Sequence, residues 1–441
     1  MEKLLKISVA SERAKPRFYR TPVFVLGVIC ALATTATLAD TVSGHLKYRA
    51  QAAHYPDDSL FRQLGEAQAY DHSADLRLQW SAQQGQWSVQ VDYQLLGIAG
   101  DGVDLAKQLA VTGGAASTLT VAGSSGFPDD DRRLFDLTHR FSDQDRHILL
   151  HRLDRAHITY TGQQSVWRLG RQVLSWGNGL IYNPVDFFNP FDPAAVDTEY
   201  KTGDDMLYGQ YLFNNGDDLQ GVYVARRDDE HDVTRDVAST ALKYHAWWGE
   251  QEWDLLMAEH YDESIVAMGV ARDIGGAVWR SDVMAVDASD HWTWSLVTNL
   301  SYSWRWWDKN ISGVAEYYYN GFGETGDQLS TTDLLENPAL RERLTRGELY
   351  TTGRQYIAGS LTIEMTPLLN FRPGVFVNLS DQSSLWQWVV QYDPSQNIQV
   401  LGSLNIPIGP SGTEFGGVDL EPGNLQLSRG LSASIQLGWY F

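Results

Sequence analysis

One cysteine, Cys30, occurs in 441 residues. It lies in an apolar segment near the start, so the chain beyond residue 39 can hold neither disulfides nor thiolate zinc sites. That part of the chain also has no run of 18 apolar residues, which excludes a transmembrane helix from it. Positive charge is scarce: 34 Lys and Arg stand against 55 Asp and Glu, for a net charge of −21. An acidic balance of this kind argues against nucleic acid as a partner. Catalytic motifs are missing too. There is no G-x-S-x-G nucleophile elbow and no H-E-x-x-H zinc motif. Gly321-Phe322-Gly323-Glu324-Thr325-Gly326 matches G-x-G-x-x-G but has no βαβ unit around it, so flexible loop glycine explains it better. The histidines His45, His139, His147, His151 and His157 have no spacing that selects one for catalysis. Asp129-Asp130-Asp131 and Asp228-Asp229-Glu230-His231-Asp232 lack EF-hand spacing and read as solvated loops. We therefore expect no enzyme, no cofactor and no metal.

What the chain does have is alternation. In Leu431-Ser432-Ala433-Ser434-Ile435-Gln436-Leu437-Gly438-Trp439-Tyr440-Phe441 the odd positions are apolar and the even ones mostly polar. Side chains alternate faces along a strand, so this is an apolar face backed by a polar one. The alternatives are an amphipathic strand closing a soluble sandwich and a transmembrane barrel strand, apolar toward lipid and polar toward the lumen. The aromatic end, Trp439 and Phe441, favours the barrel, because free termini fray into water. It also resembles the signal that bacterial outer-membrane barrels present to their assembly machinery. At the other end, Lys3, Lys6, Arg13, Lys15, Arg17 and Arg20 precede an apolar Val23 to Leu38, and Thr37-Leu38-Ala39 is an acceptable cleavage site. Residues 1–39 thus read as a secretory signal peptide, with an uncleaved anchor as the alternative. Removing them, with their six Lys/Arg and two Glu, takes the charge from −21 to −25.

Period-2 segments bounded by turn residues fall at 43–53, 73–83, 87–97, 152–161, 166–174, 206–214, 218–226, 238–247, 250–259, 262–272, 275–286, 291–304, 310–319, 352–364, 367–378, 382–391, 395–406 and 430–441. This predicts an all-β fold: a single antiparallel transmembrane β-barrel of about 18 strands over residues 40–441, with 16 as the runner-up count. The connections support the count. Every second one is short, and the long ones, 54–72, 98–151, 175–205, 320–351 and 407–429, all fall on the opposite side. A miscounted strand would put a long loop among the short turns. In 291–304, Trp292, Trp294, Leu296, Leu300, Tyr302 and Trp304 share a face. The twelve residues from Trp292 to Trp304, at ~3.3 Å each and a tilt of ~40°, span ~30 Å, the height of an apolar band with its aromatic girdles. Eighteen strands would enclose an aqueous lumen. Within 320–351, Pro338 to Leu344 reads as one short helix.

Arg77, Arg155 and Arg168 are expected to point into that lumen, together with Asp75, Asp92 and Glu316. Opposed rows of charge would select permeants; the alternative is that they only pair across strands. The most unusual stretch is 166–205, which contains Gly170-Arg171-Gln172 and Trp176-Gly177-Asn178-Gly179, then Asn183-Pro184 and Asn189-Pro190. It resembles the corresponding strand and loop of alginate-export-type and related porin-like outer-membrane barrels. The Asn-Pro repeat is similar to a large group of bacterial barrels, some encoded beside lipid-exporting resistance-nodulation-division pumps. The resemblance implies an outer-membrane channel.

Two expectations concern this stretch. Strict alternation would put Arg171 in the lipid face, at a cost of roughly 2–4 kcal/mol at the bilayer midplane. A bulge at or next to Gly170 should therefore turn it inward. Loop 175–205 should fold into the lumen, since Ile181, Tyr182, Val185, Phe187, Phe188 and Phe191 are too apolar to stay solvated; a lid over the mouth is the alternative. Trp176, Asn178, Asn183, Asp186, Asn189 and Asp192, with Arg171, would then line the constriction. The leading function is a porin-like channel between periplasm and exterior. The second is the outer-membrane component of a lipid or polysaccharide export or uptake system with a periplasmic or inner-membrane partner, and a non-conducting adhesin or structural barrel is a third. Expected partners are outer-membrane lipid, lipopolysaccharide and the barrel-assembly machinery.

Overall fold

The computed structural model describes residues 39–112, 127–288, 291–420 and 425–441; the signal peptide expected at 1–39 lies, but for Ala39, outside the described residues. Alternation of apolar and polar residues gives the long strands β1 (Ala39–His54), β2 (Gln68–Gln84), β3 (Trp87–Gly100), β5 (His147–Thr161), β6 (Ser165–Gln172), β7 (Asp204–Leu212), β8 (Asp218–Arg227), β9 (Val233–Trp248) and β10 (Gln251–His260). They continue as β11 (Glu263–Ile274), β12 (Ala277–Ala288), β13 (His291–Trp306), β14 (Lys309–Tyr319), β15 (Gln355–Thr366), β16 (Leu369–Asn378), β17 (Ser383–Ser395), β18 (Ile398–Ile408) and β21 (Leu431–Tyr440). Each pairs antiparallel with its neighbour, and β21 pairs back onto β1, Trp439 opposite Leu46 and Leu431 opposite His54. The result is a closed barrel of 18 strands, as the periodicity predicts. Closure gives each of these 18 strands a neighbour on both sides, the condition for a β-structure to stand in lipid.

Three short strands complete the list. β4 (Thr138–Gln144) pairs with the first half of β5, next to the stretch of β5 that β6 covers. β19 (Val418–Leu420) and β20 (Leu425–Leu427) form a separate ribbon. The short helices are α1 (Leu60–Leu64), α2 (Asp101–Thr112), α3 (Thr331–Glu336) and α4 (Pro338–Arg346). α4 is the helix expected in the 320–351 loop: Pro338 begins it, the Asn337 side chain caps the N–H of Leu340, and Gly347 ends it in the left-handed region at φ 70°. Among the described residues no helix is long and apolar enough to cross a membrane.

The two faces of the wall differ as the alternation requires. On β21, Leu431, Ile435, Leu437, Trp439 and Phe441 are exposed on the outside while Gln436 is buried inside. On β13, Trp292, Trp294, Leu300, Tyr302 and Trp306 face out, and Ser295, Val297 and Asn299 face in and are buried. An apolar exterior with aromatic ends is a lipid-facing surface, so this is a transmembrane barrel of the outer-membrane type. The turns 85–86, 162–164, 213–217, 249–250, 275–276, 307–308, 367–368 and 396–397 lie at one end, and the described residues of the longer segments 55–67, 101–146, 173–203, 320–354 and 409–430 at the other. We call these the turn end and the loop end. The largest buried apolar cluster lies inside the barrel: Trp176, Val185, Phe187 and Phe188 meet Met206, Val222, Val224, Leu256, Ile265 and Met284 of the wall.

Candidate functional site

The loop between β6 and β7 makes contacts with β12, β14 and β17. After the strand it turns at Gly177, whose φ of +89° suits glycine, and at Gly179, where a Cβ would stand 1.9 Å from the Tyr182 carbonyl oxygen. A buried loop must find acceptors for its backbone N–H groups. Here the opposite wall supplies them as carboxylates. Asp282 on β12 accepts the Asn178 backbone N–H at 2.5 Å and the Asn178 side-chain amide at 2.7 Å. Glu316 on β14 accepts the N–H groups of Leu180 at 2.8 Å, Ile181 at 3.1 Å and Tyr182 at 2.5 Å. The Asn299 amide on β13 donates to the Asn178 carbonyl at 3.0 Å. The Tyr182 ring stacks on Tyr318, with centroids 5.0 Å apart, and tilts against Tyr356 at 5.4 Å.

The middle of the loop is held by apolar burial. Trp176, Val185, Phe187 and Phe188 enter the core cluster, and Trp176 Nε1 donates to Gln220 at 2.7 Å. Each large side chain so buried contributes roughly 1.5–3 kcal/mol. The Asn183 amide donates to the Trp176 carbonyl at 2.9 Å. Asp186 does not face the lumen as a free acid: Lys201 Nζ stands 2.6 Å from both its oxygens, and Ser175 and the Leu174 carbonyl take the other Lys201 protons. Burial pushes the Asp186 carboxyl up to about 6 in spite of that ammonium, and pushes the Lys201 amine down. Asn189 takes a positive φ of 56°, and Asp192 accepts the Ala194 N–H at 2.8 Å in a local turn. The Gln387 amide on β17 then donates to the Ala194 carbonyl at 2.7 Å, and the chain returns past Lys47 on β1, which holds Asp197 and Glu199.

The charged residues of the wall gather round one carboxylate. Asp154 accepts Arg77 at 2.5 Å, Arg152 at 2.8 Å and Arg155 at 2.9 Å, all buried. The register explains it: Asp92 pairs with Arg155 but Tyr93 with Leu153, so Asp154 is an extra residue on β5. Asp92 itself receives the amides of Gln79 and Gln90. Arg168 donates to Thr159 Oγ1 at 3.3 Å and lies 5.7 Å from the centre of the Tyr208 ring.

Arg171 differs from the sequence reading. Gly170 has φ +120°, yet the pairing of β6 runs without a slip, from Val166 to Arg171 against β5 and from Ser165 to Gln172 against β7. Arg171 opposes Asp205, two residues from the Leu169–Leu207 pair, and so shares the outward side with those leucines rather than lining the lumen. It is nevertheless buried. Asp205 takes two of its nitrogens at 2.9–3.0 Å, Asp130 a third at 2.9 Å, and the Phe135 carbonyl accepts at 2.6 Å. The segment before β4 thus encloses the guanidinium, and the register of β6 shows no bulge.

Asp282, Lys201, Arg152, Asp154 and Lys47 were missed from the sequence. Arg152-Leu153-Asp154-Arg155 did carry a signal, since three charges in four positions break period 2. For the others the partners are remote in the chain and nothing local marks them.

No protein-family model matches this sequence, and no curated protein matches it either. Among solved structures the chain is similar to Acinetobacter baumannii OccAB4, with a TM-score of 0.52 and 8% identity over 91% of this chain and 98% of that one. The likeness shows the fold, a closed antiparallel outer-membrane barrel. The chain also matches a BenF-like porin from Pseudomonas fluorescens Pf-5, at 9% identity over 91% and 98% of the two chains with a TM-score of 0.48. A third match is Pseudomonas aeruginosa OccD3, at 8% identity over 92% of each chain with a TM-score of 0.48. At such identities the likeness is one of architecture.

Proposed function

We propose that this protein is a porin-like channel of the bacterial outer membrane, and that loop 175–205 narrows its lumen and sets what passes. The observation that carries the reading is the pairing of a closed wall, apolar outside, with a loop that crosses inside it to Asp282, Glu316 and Gln387. Trp176, Asn178, Asn183, Asp186, Asn189 and Asp192 belong to the narrowing loop; Arg77, Asp92, Arg155, Arg168 and Glu316 are its wall. Solutes would pass beside the loop, where charged side chains and backbone carbonyls remain to meet them. No group in this arrangement calls for bond-breaking chemistry, and we assign none. Deleting residues 178–203 and joining the ends with a short glycine linker should raise single-channel conductance severalfold in planar bilayers. Unchanged conductance in a correctly folded deletion variant would remove the loop from the permeation path.

A second reading is favoured by the Gly170-Arg171-Gln172 and Trp176-Gly177-Asn178-Gly179 segment, which resembles alginate-export-type barrels. In it the barrel is the outer-membrane component of a lipid or polysaccharide transport system and hands cargo to or from a periplasmic or inner-membrane partner. Such a conduit would be silent alone and conduct only with its partner added, whereas a porin-like channel conducts by itself. In either reading the barrel-assembly machinery inserts the chain by recognising its last strand.

A further inference from the structure

The returning arm of the loop, Asp197-Thr198-Glu199-Tyr200, lies against a column of cations near the turn end. His45, Lys47 and Arg49 occupy alternate positions of β1 and share its inner face, and Arg77 reaches them from β2. Lys47 Nζ donates to Asp197 Oδ2 at 2.7 Å and to Glu199 Oε2 at 2.5 Å. The Gln436 amide reaches the same Asp197 oxygen at 2.7 Å, and the Tyr440 hydroxyl donates to Glu199 at 2.9 Å. The Tyr200 ring lies 4.2 Å from the Arg77 guanidinium, 5.6 Å from Lys47 Nζ and 5.1 Å from the His45 ring. Two carboxylates and an aromatic face thus sit where the wall presents positive charge.

The fit is incomplete. Both ring nitrogens of His45, Nε of Arg77, Nε of Arg49 and Oδ1 of Asp75 are buried with no hydrogen-bond partner, although the His45 and Arg77 residues are almost wholly enclosed. Buried polar atoms left unpaired are costly, so this wall is built for more partners than the arm supplies. The arm is also the weakly held half of the loop. Trp176, Phe187 and Phe188 anchor the outgoing half by apolar burial, whereas the arm depends on ion pairs and cation–π contacts, and Thr198 and Glu199 are exposed. Lys47 is buried, but its partners Asp197 and Glu199 are partly open to water, and ion pairs that water reaches weaken with salt.

We propose that Asp197–Tyr200 is a displaceable plug that fills an anion site made by Lys47 and Arg49. Arg77 keeps Asp154 as its partner, but in the narrow lumen Lys47 cannot stand uncompensated, so when the arm leaves, an anion must replace its carboxylates. The plug rests on the reading of the barrel as a channel, and the experiment separates the two.

The full-length chain with Cys30→Ser, Lys47→Cys and Asp197→Cys is purified and its two thiols joined with a short, reducible bis-thiosulfonate linker. In planar bilayers the linked protein should conduct at the wild-type level, and adding reductant should raise the conductance about twofold or more as the arm swings free. Asp197→Asn with Glu199→Gln, which keeps Lys47, should show the same rise and move the reversal potential in a potassium chloride gradient toward chloride. Equal conductance before and after reduction overturns the plug while leaving the channel in place. A shift in selectivity of the double-neutral variant without a rise in conductance overturns it as well, because that is the effect of charge on an arm that has not moved. No conductance from the wild type or any variant overturns the channel reading and the plug with it.

Discussion

Glu316 Oε1 accepts the backbone N–H of Tyr182 at 2.5 Å across 134 residues of sequence, and the same carboxylate accepts the N–H groups of Leu180 and Ile181. Three donors on one acid tie the loop to the far wall at a single side chain. In Glu316→Gln one oxygen becomes a donor and confronts a backbone N–H. Hydrogen bonds to a charged group contribute about 1.5–3 kcal/mol, so losing one and opposing a second should loosen residues 178–183 by at least that much. Hydrogen exchange at Leu180 to Tyr182 should quicken while exchange in the β13–β14 ladder holds. Equal exchange in both proteins would mean that the apolar residues alone hold the loop.

The Asp186–Lys201 contact makes a prediction about pH. Asp186 has its carboxyl raised by burial from 3.8 to about 6. A group raised in the fold contributes stability that is full below its unfolded value and is lost as pH rises through the folded one. The window therefore runs from about pH 4 to about pH 6, and the change amounts to no more than about 3 kcal/mol. Exchange at residues 183–188, corrected for the intrinsic rate, should accelerate across that window. Asp186→Asn should lack the step, and a step of the same size in that variant would assign the titration to another group.

The strands were readable because lipid on one side and polar groups on the other impose alternation residue by residue, as in Leu431 to Phe441. The interior obeys a different logic. Asp282 meets Asn178 and Lys201 meets Asp186 through contacts set by how the loop crosses the barrel, and no periodicity records that path. Arg171 shows the limit most clearly. Its register keeps the parity of Leu169, while its partners Asp130 and Phe135 come from a segment lying between β3 and β4 that no alternation in β6 announces.

Arg171→Met should separate the two accounts of that residue. A re-aimed pore-lining arginine could be lost with a change in conductance alone. The arrangement seen here instead leaves the Asp130 and Asp205 carboxylates buried and unpaired, and breaking such a pair costs about 3–5 kcal/mol. Folded barrel, scored by heat-modifiable mobility on gels, should melt at lower temperature, with the segment 127–137 becoming protease-sensitive first. Acid should mimic the substitution. Burial alone would raise the Asp130 carboxyl, but Arg171 and Arg133 outweigh it and hold it at about 2. Its contribution is present above the usual carboxylate range and lost as pH falls through about 2.

Residues 439–441 close the barrel against β1. Phe441 donates its N–H to the Gly44 carbonyl at 3.0 Å and accepts the Gly44 N–H at 2.9 Å, and Trp439 opposes Leu46 on β1. Gly44 is required there, since a Cβ would stand 2.3 Å from the Arg77 carbonyl oxygen and 2.9 Å from the Phe441 ring. Outside, Trp439 and Phe441 are exposed with ring centroids 5.0 Å apart, at the end of an otherwise aliphatic face. Deleting Trp439 to Phe441 therefore removes both the final backbone pairs of the seam and the aromatic pair that the assembly machinery would grip. Phe441→Ala keeps the backbone pairs and removes only the ring. If the seam alone matters, the deletion should lower the amount of heat-modifiable barrel in the outer membrane and the point substitution should not. If the ring is read during assembly, both should lower it, and the Phe441→Ala barrel that does form should melt close to the wild type. We expect the second pattern, and wild-type levels of folded barrel in both variants would remove the last strand from any role in assembly.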